Sequence, residues 1–375
     1  MSRLKDLRKF GQSPWYDNIE RGLLLSGKLK EMIDNDGIAG VTSNPTIFEK
    51  AINGSQMYDA DIGRLGREGK DVQAIYDELT VWDVDKAADI LLDVYQSSGR
   101  IDGFVSLEVS PHLAHDAEAT VAEAKRLYAK VGRANLLIKV PATNEGAEAI
   151  RRLTAMGINV NATLIFSLAH YIAISQAYIR GLEERIGKGL PLDRIVSVAS
   201  FFVSRIDTYV DKMLNDLILK ERDEQRLKEL QNLVGRAAVA QAKVIYDAYR
   251  RTFYGPIFAR LREKKTNVQR LLFGSTSTKN PSYSDVKYVE EIIGEGTINT
   301  MPQATVDAFR DHGEAKATLG EGMDEAKQII AHLQTYGISV EEVCQQIQDD
   351  GVQAFASSYD KLIKSLENKR KKFIS

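Results

Sequence analysis

Residues 135–146, NLLIKVPATNEG, form the stretch that decides the fold. Leucine, isoleucine and valine fill its first half, and Pro141, Thr143 and Asn144 close it, which predicts a buried strand that ends in a turn. Lys139 lies inside this strand, although lysine is rarely buried without a specific reason. In an apolar site the neutral amine is favoured over the ammonium, and a neutral amine can attack a carbonyl to form a Schiff base. The alternative is a lysine at a strand end whose stem reaches solvent.

Segments rich in β-formers alternate with helical patterns along the chain. The predicted strands are residues 37–44, 101–110, 135–142, 158–167, 194–204, 270–277 and 296–302, and the short segment SPWYDNI at 13–19 is a candidate eighth strand. Residues 116–131 and 145–156 show the 3.6-residue period of helices between strands. This alternation predicts an α/β fold with parallel strands, and eight strands favour a (β/α)8 TIM barrel over an open doubly wound sheet. The chain has neither GxGxxG after the first strand nor GxxxxGK[ST], which weakens a nucleotide-binding sheet.

Composition sets the class of protein. The chain has 375 residues, of which 43% are hydrophobic and 27% charged, as in a globular protein. A formal net charge of -2 predicts no nucleic-acid partner. Cys344 is the single cysteine, which excludes an intrachain disulfide and a cysteine zinc site. The sequence shows no apolar stretch of signal-peptide or membrane-span length, so we expect a cytoplasmic protein without a membrane partner.

Two helical stretches exceed what a minimal barrel needs, at about 207–268 and about 303–375. No low-complexity linker sets either stretch apart, and no internal repeat is present. We therefore expect one (β/α)8 domain over residues 1–375 with helical additions, for which packing is the default role. The additions are compatible with a monomer or with a homodimer.

Period two places unusual polar residues on the inner face of the predicted barrel. Glu108 lies opposite Val105 and Leu107, while Lys139 shares its face with Leu137. Further inward or strand-end rows are Asn159, Asn161, Thr163 and Ile165; Ser200, Phe202 and Ser204, followed by Arg205; and Thr42, Ser43 and Asn44.

These rows predict a chemical site at the ends of the strands, where barrel enzymes place their catalytic groups. Lys139 and Glu108 suggest a nucleophile and a base, and Asp17 adds a second carboxylate. Such a set suffices for Schiff-base chemistry without a metal or an organic cofactor. The alternative is a buried ion pair between lysine and glutamate that serves packing.

Residues 273–283, FGSTSTKNPSY, are typical of a phosphate-binding loop. Its small residues and hydroxyls precede Lys279, and the loop follows the seventh strand, where barrel enzymes often bind phosphate. Arg205 is a second candidate cation. The alternative is a Ser/Thr-rich turn with a solvated lysine. His112 and His115 have no acidic or cysteine partner in a metal-binding pattern, so no metal site is predicted.

Six ordered motifs together resemble the transaldolase family in its longer bacterial form. They are GVTSNPTIF (40–48), VSLEV (105–109), IKVPAT (138–143), NVNATLIFS (159–167), ASFFVSR (199–205) and STSTKNP (275–281). The resemblance runs from about Trp15 to Pro302 and implies a circularly permuted barrel of the class I aldolase type. It implies transfer of a dihydroxyacetone unit from fructose 6-phosphate or sedoheptulose 7-phosphate to an aldose phosphate, in the non-oxidative pentose phosphate pathway.

Two alternatives to this function remain. The nearer is a Schiff-base lyase similar to fructose 6-phosphate aldolase, which releases free dihydroxyacetone instead of transferring it. That family is much shorter, and the pair of Asp17 and Glu108 favours the transferase. The other is an inactive barrel that serves as a scaffold, which has no need of ionisable residues in its interior.

The resemblance also assigns roles by matching positions. Lys139 would be the Schiff-base lysine, Asp17 the acid/base of carbon–carbon cleavage, and Glu108 a carboxylate acting through a water that Thr163 helps to hold. The residues implied in substrate binding are Thr42, Asn44, Asn161, Ser200, Phe202, Arg205, Ser275 and Lys279. In the shorter forms an arginine occupies the phosphate loop where this chain has Lys279, and lysine lacks the two-pronged guanidinium. The register of the loop around Ser275 is open by one residue.

Overall fold

The computed structural model describes residues 2–374. Eight parallel strands close into a barrel in chain order, and the last strand pairs with the first. The strands are β1 (Gln12–Tyr16), β2 (Gly40–Val41), β3 (Phe104–Glu108), β4 (Leu136–Pro141), β5 (Val160–Ile165), β6 (Ser197–Phe202), β7 (Gln269–Gly274) and β8 (Thr297–Met301). The predicted (β/α)8 barrel is confirmed, and the candidate eighth strand at 13–19 is present as Gln12–Tyr16. The strand predicted at 37–44 is shorter than expected, because only two of its residues join the barrel ladder.

Helices surround the barrel and fill both stretches that the sequence marked as helical. The α-helices are α1 (Arg21–Leu25), α2 (Lys28–Asp36), α3 (Pro45–Gly54), α4 (Asp59–Arg67), α5 (Val72–Ile90), α6 (Leu92–Ser97), α7 (Ala117–Val131), α8 (Asn144–Met156), α9 (Leu168–Gly187), α10 (Ser204–Ile218), α11 (Glu224–Leu233), α12 (Ala237–Tyr254), α13 (Pro256–Glu263), α14 (Lys287–Glu290), α15 (Gln303–His312), α16 (Met323–Thr335) and α17 (Val340–Ile374). Short 3-10 helices occupy Arg3–Phe10, Gln56–Tyr58 and Pro111–Leu113. Within residues 2–374, no helix combines the length and apolar character needed to cross a bilayer.

The lower part of the barrel interior is closed by a buried ion pair and an apolar layer. Arg270 Nη1 lies 3.0 Å from Asp102 Oδ1, which also accepts a hydrogen bond from Trp15 Nε1. Trp15 packs above this pair with Leu137. Only glycine fits at position 40, next to Trp15, because a Cβ there would lie 2.4 Å from the indole ring. This layer thus fills the barrel interior between its two ends.

A bulge interrupts β5 next to the site. Leu164 has a φ of 59°, and the register with β6 shifts between Ala162 and Ile165. Ile165 consequently pairs with Phe201, whose neighbours on the strand, Ser200 and Phe202, face the interior. Ile165 therefore lies on the outer face, and its predicted place in the inward row was wrong, because the extra residue reverses the alternation.

Helix α17 packs against α3 and α4 and contacts the carboxyl ends of β4 and β5. Gln348 is buried, and its Nε2 donates to the carbonyl oxygens of Ala142 at 3.0 Å and Leu164 at 2.9 Å. Cys344 Sγ donates to the Phe166 carbonyl at 3.2 Å. These contacts bring the C-terminal part of the chain against the loops that follow β4 and β5.

Candidate active site

Lys139 and Glu108 form the centre of the site because β3 and β4 pair in register, with Glu108 beside Lys139. The Lys139 Nζ lies 3.3 Å from Glu108 Oε2 and donates to the Ser43 carbonyl at 3.0 Å. Both side chains are only 3% exposed. Lys139 is thus a buried lysine, and its stem does not extend to bulk solvent.

Two aromatic rings cover the Lys139 ammonium. Its Nζ lies 5.9 Å from the centroid of Phe202, at the end of β6, and 5.8 Å from that of Phe355 on α17. Such distances allow a cation–π attraction that partly replaces the water lost on burial. Phe355 was missed by the sequence reasoning, because nothing in its local pattern shows that α17 returns to the barrel mouth.

Asp17 follows β1 directly and stands at the mouth of the barrel. Its Oδ1 accepts a hydrogen bond of 2.6 Å from Thr42 Oγ1, which also lies 2.7 Å from Thr300 Oγ1. The backbone N–H of Asp17 donates to the Met301 carbonyl, which fixes the residue at the seam where β1 meets β8. Asp17 is thus held by Thr42 and by Met301 of β8 while one side borders a cavity.

The two carboxyl groups are perturbed in the same direction. Burial raises the pKa of Glu108, the positive charge of Lys139 opposes this effect, and the charge of Asp17 adds to it. Burial likewise raises the pKa of Asp17, opposed by the charge of Lys139 and the hydrogen bond from Thr42. A carboxyl whose pKa lies closer to neutrality exchanges protons more effectively in general acid–base catalysis.

Glu108 and Thr163 retain hydrogen-bonding capacity in a buried environment. Within residues 2–374, neither carboxylate oxygen of Glu108 has a hydrogen-bond partner that meets the usual geometry, and the same holds for Thr163 Oγ1. The two residues lie on the strands that flank β4, one on each side of Lys139. Buried polar atoms are usually paired, so these atoms are available to a reacting molecule.

Asn161 and Ser200 lie deeper than the sequence analysis expected. Asn161 Nδ2 donates to Ser106 Oγ at 3.0 Å, and Asn161 Oδ1 accepts from Ser200 Oγ at 2.6 Å. Both are buried and do not border the cavity. Asn161 pairs in register with Lys139, and the side chains of Asn161, Ser200 and Ser106 form a buried polar layer. The contact of Asn161 and Ser200 with substrate stays a prediction.

A cavity of about 460 Å³ opens above this centre. The predicted site residues that line it are Asp17, Asn44, Phe202, Arg205, Ser275 and Lys279. The lining residues that were not predicted are Asn18, Glu20, Thr46, Ile47, Lys50, Ala51, Ser277, Pro302, Gln303 and Phe355. Asn44 also caps α3, since its Oδ1 accepts from the Ile47 N–H at 2.9 Å. Several of the missed residues belong to α3, whose approach to the cavity depends on tertiary packing.

The cavity has a cationic end. Lys279 Nζ donates to Ser277 Oγ at 2.7 Å, and Ser275 Oγ lies 3.0 Å from Ser204 Oγ. Burial lowers the pKa of Arg205. Burial also lowers the pKa of Lys279, and the positive charges of Arg205 and Lys50 lower it further. The loop after β7 and the start of α10 thus bring cations and hydroxyls to one wall, as an anion requires.

A second cavity of about 470 Å³ lies at the opposite end of the barrel, around Arg270 and Asp102. Its central charges are already paired with each other, and it contains no lysine. The cavity of about 460 Å³ is bordered by Asp17, by the two rings that cover Lys139 and by the cationic wall, while Lys139 and Glu108 lie buried next to it and are not among its lining residues. The chemistry of the residues therefore selects the carboxyl-terminal end of the strands.

Comparisons with known proteins agree with this geometry. The family profile described as "Transaldolase/Fructose-6-phosphate aldolase" matches residues 14–366. A protein named "Transaldolase" from Thiobacillus denitrificans is 46% identical over 97% of this chain and 99% of its own length. Proteins of the same name from Trichodesmium erythraeum and Neisseria gonorrhoeae are each 43% identical, over 99% and 98% of this chain and 98% and 100% of their own lengths. The chain belongs to the transaldolase/fructose-6-phosphate aldolase family.

Proposed function

We propose that this chain transfers a dihydroxyacetone unit from fructose 6-phosphate or sedoheptulose 7-phosphate to an aldose phosphate such as erythrose 4-phosphate, through a Schiff base on Lys139. We infer that this reaction belongs to the non-oxidative pentose phosphate pathway. The observation that carries the proposal is a buried lysine 3.3 Å from a buried carboxylate, beneath a cavity with a cationic wall. Relatives named transaldolase along nearly the whole chain support the same reaction.

Covalent attachment begins at Lys139. Its neutral amine attacks the C2 carbonyl of the ketose phosphate, and the proton that the nitrogen loses is transferred to the C2 oxygen to give a neutral carbinolamine. Glu108, acting through water that Thr163 helps to hold, donates the proton with which the hydroxyl leaves as water. The product is a protonated imine, which withdraws electrons from the neighbouring carbon–carbon bond. The raised pKa of Glu108 favours the protonated form that this step uses.

Cleavage and transfer depend on Asp17. Its carboxylate accepts the proton of the C4 hydroxyl, the C3–C4 bond breaks, and its electron pair moves into an enamine on Lys139. The aldose phosphate leaves, and the enamine then attacks the aldehyde carbon of the acceptor while Asp17 returns the proton to the new hydroxyl. Hydrolysis of the new imine releases the product ketose phosphate and restores the Lys139 amine.

Binding groups hold the sugar during these steps. Arg205, Lys279 and Ser275 would bind the phosphate at the cationic wall, while Phe202 covers the imine. Thr42, Asn44, Asn161 and Ser200 are proposed to contact sugar hydroxyls. Confinement under the rings of Phe202 and Phe355 would shield the enamine from water, which favours transfer over release.

A lyase that releases free dihydroxyacetone is the second candidate, since the matching profile also carries the description fructose-6-phosphate aldolase. A product assay separates the two functions. With fructose 6-phosphate alone, we expect little free dihydroxyacetone, whereas adding erythrose 4-phosphate should give stoichiometric sedoheptulose 7-phosphate. Lys139→Arg, which cannot form the imine, is the control and should give neither product. Steady accumulation of dihydroxyacetone without an acceptor would favour the lyase.

A further inference from the structure

One face of α3 lines the cavity above Lys139. Thr46, Ile47, Lys50 and Ala51 border this cavity, a spacing that puts them on one side of a helix. Phe48 lies between them in sequence but is buried against the core on the other side. The Lys50 side chain is therefore presented to the cavity by the helix that Asn44 caps.

The side chain of Lys50 is unpaired in the described part of the chain. Within residues 2–374, it takes part in no hydrogen bond, salt bridge or ring contact. The other two cations that line the cavity make no salt bridge with any described residue: Arg205 contacts the Phe202 ring at 5.7 Å, and Lys279 donates to Ser277. An exposed lysine without a partner is ordinary. Lys50 is distinguished by its location, because it borders the same cavity as Arg205 and Lys279.

The charges of Arg205 and Lys50 act on the third cation, Lys279. Burial lowers the pKa of Lys279, and the charges of Arg205 and Lys50 lower it further, with no carboxylate opposing them. The carboxylates that line the same cavity are Asp17, held by Thr42, and Glu20. Gathering like charges at one wall is unfavourable until an anion binds there, and the binding of a dianion offsets the repulsion.

We propose that Lys50 is a third cation of the phosphate subsite and a determinant of specificity for phosphorylated sugars. A phosphate monoester has three terminal oxygens, while the wall offers one two-pronged guanidinium, Arg205, and one point charge from the β7 loop, Lys279. Lys50 reaches the same cavity from α3, which follows β2, so that the phosphate is held between α3 and the β7 loop. This inference rests on the proposed sugar-phosphate transfer.

The test compares Lys50→Ala with Lys50→Arg and with Lys228→Ala. Lys228 is an exposed lysine on α11 that lines none of the described cavities, so its replacement removes the same charge far from the site. Alanine is a strong helix former, so neither change to alanine should disturb its helix. The measured quantities are kcat and KM for fructose 6-phosphate with erythrose 4-phosphate saturating, and the inhibition constant of inorganic phosphate. The rate with unphosphorylated fructose as the donor is measured in parallel.

For Lys50→Ala we expect KM for fructose 6-phosphate and the inhibition constant of phosphate each to rise about tenfold, the size of one charge-assisted contact. We expect kcat within about threefold of wild type, an unchanged rate with fructose, and recovery of KM in Lys50→Arg.

Equal KM values in Lys50→Ala and Lys228→Ala would overturn the inference. So would an equal loss with fructose, since the effect would then not involve phosphate. If wild type transfers no dihydroxyacetone unit, the proposed function fails, whereas a normal wild type with an unaltered Lys50→Ala fails only the Lys50 inference.

Discussion

The replacement Lys139→Met tests whether the positive charge of Lys139 stabilises the ionised forms of Glu108 and Asp17 in the folded protein. Methionine fills a similar volume but removes the ammonium 3.3 Å from Glu108. Opposite charges at that distance attract by about 5 kcal/mol at an effective dielectric constant of about 20. Without this attraction Glu108 keeps its proton to higher pH, and each unit of upward shift in its folded-state pKa costs about 1.4 kcal/mol at pH values above it.

The sign of the pH dependence follows from the raised pKa values of Glu108 and Asp17. A carboxyl whose pKa is higher in the folded state than in the unfolded chain contributes stability that is complete below the unfolded pKa, about 4.3 for glutamate. This contribution is lost as the pH rises through the folded-state pKa. Removing Lys139 moves both folded-state values further up, so the variant should lose more stability than wild type as the pH rises.

The assay is urea unfolding followed by circular dichroism at pH 5 and pH 8. We expect the free energy of unfolding of Lys139→Met to lie within about 1 kcal/mol of wild type at pH 5 and about 3 kcal/mol below it at pH 8. The double variant Lys139→Met/Glu108→Gln should recover most of the loss at pH 8, because the unpaired carboxylate is gone. An equal loss at both pH values, or no recovery in the double variant, would refute the electrostatic reasoning.

Two further predictions concern single residues of the site. In steady-state kinetics, Asp17→Asn should lower kcat about 10²- to 10⁴-fold, which is the usual contribution of a general acid–base, while KM for the donor changes little. A rise in KM with kcat unchanged would contradict the role given to Asp17. Gln348→Ala should lower the free energy of unfolding by about 2–4 kcal/mol, because two buried carbonyls lose their donor. Gln346→Ala, on the exposed side of the same helix, is the control and should stay within about 0.5 kcal/mol of wild type in urea unfolding.

The strands and the inward residues were predictable because both depend on short-range pattern. Alternation placed Glu108 and Lys139 on inner faces, and parallel register then brought them within 3.3 Å. The same alternation failed at Ile165, because Leu164 adopts a positive φ that no leucine-containing pattern indicates. A single bulge is enough to reverse the face of every later residue in a strand.

The cavity residues that lie on helices were harder to predict than Lys139 and Glu108, which lie on strands. Phe355 lies more than 200 residues beyond Lys139 in sequence, and it reaches the ammonium only because α17 packs against α3, α4 and α10. Lys50 gave no signal in sequence, since an exposed lysine in a helix is ordinary. Asn161 and Ser200 were correctly placed inside the barrel, but the hydrogen bond that joins them could not be read from their separate strands.

Reduction with sodium borohydride in the presence of fructose 6-phosphate, followed by peptide mass analysis, tests whether Lys139 forms the Schiff base with the donor sugar. We predict one covalent adduct, on the peptide that contains Lys139, and none in Lys139→Arg. An adduct on a different lysine, or none while wild-type protein turns over fructose 6-phosphate, would contradict the account.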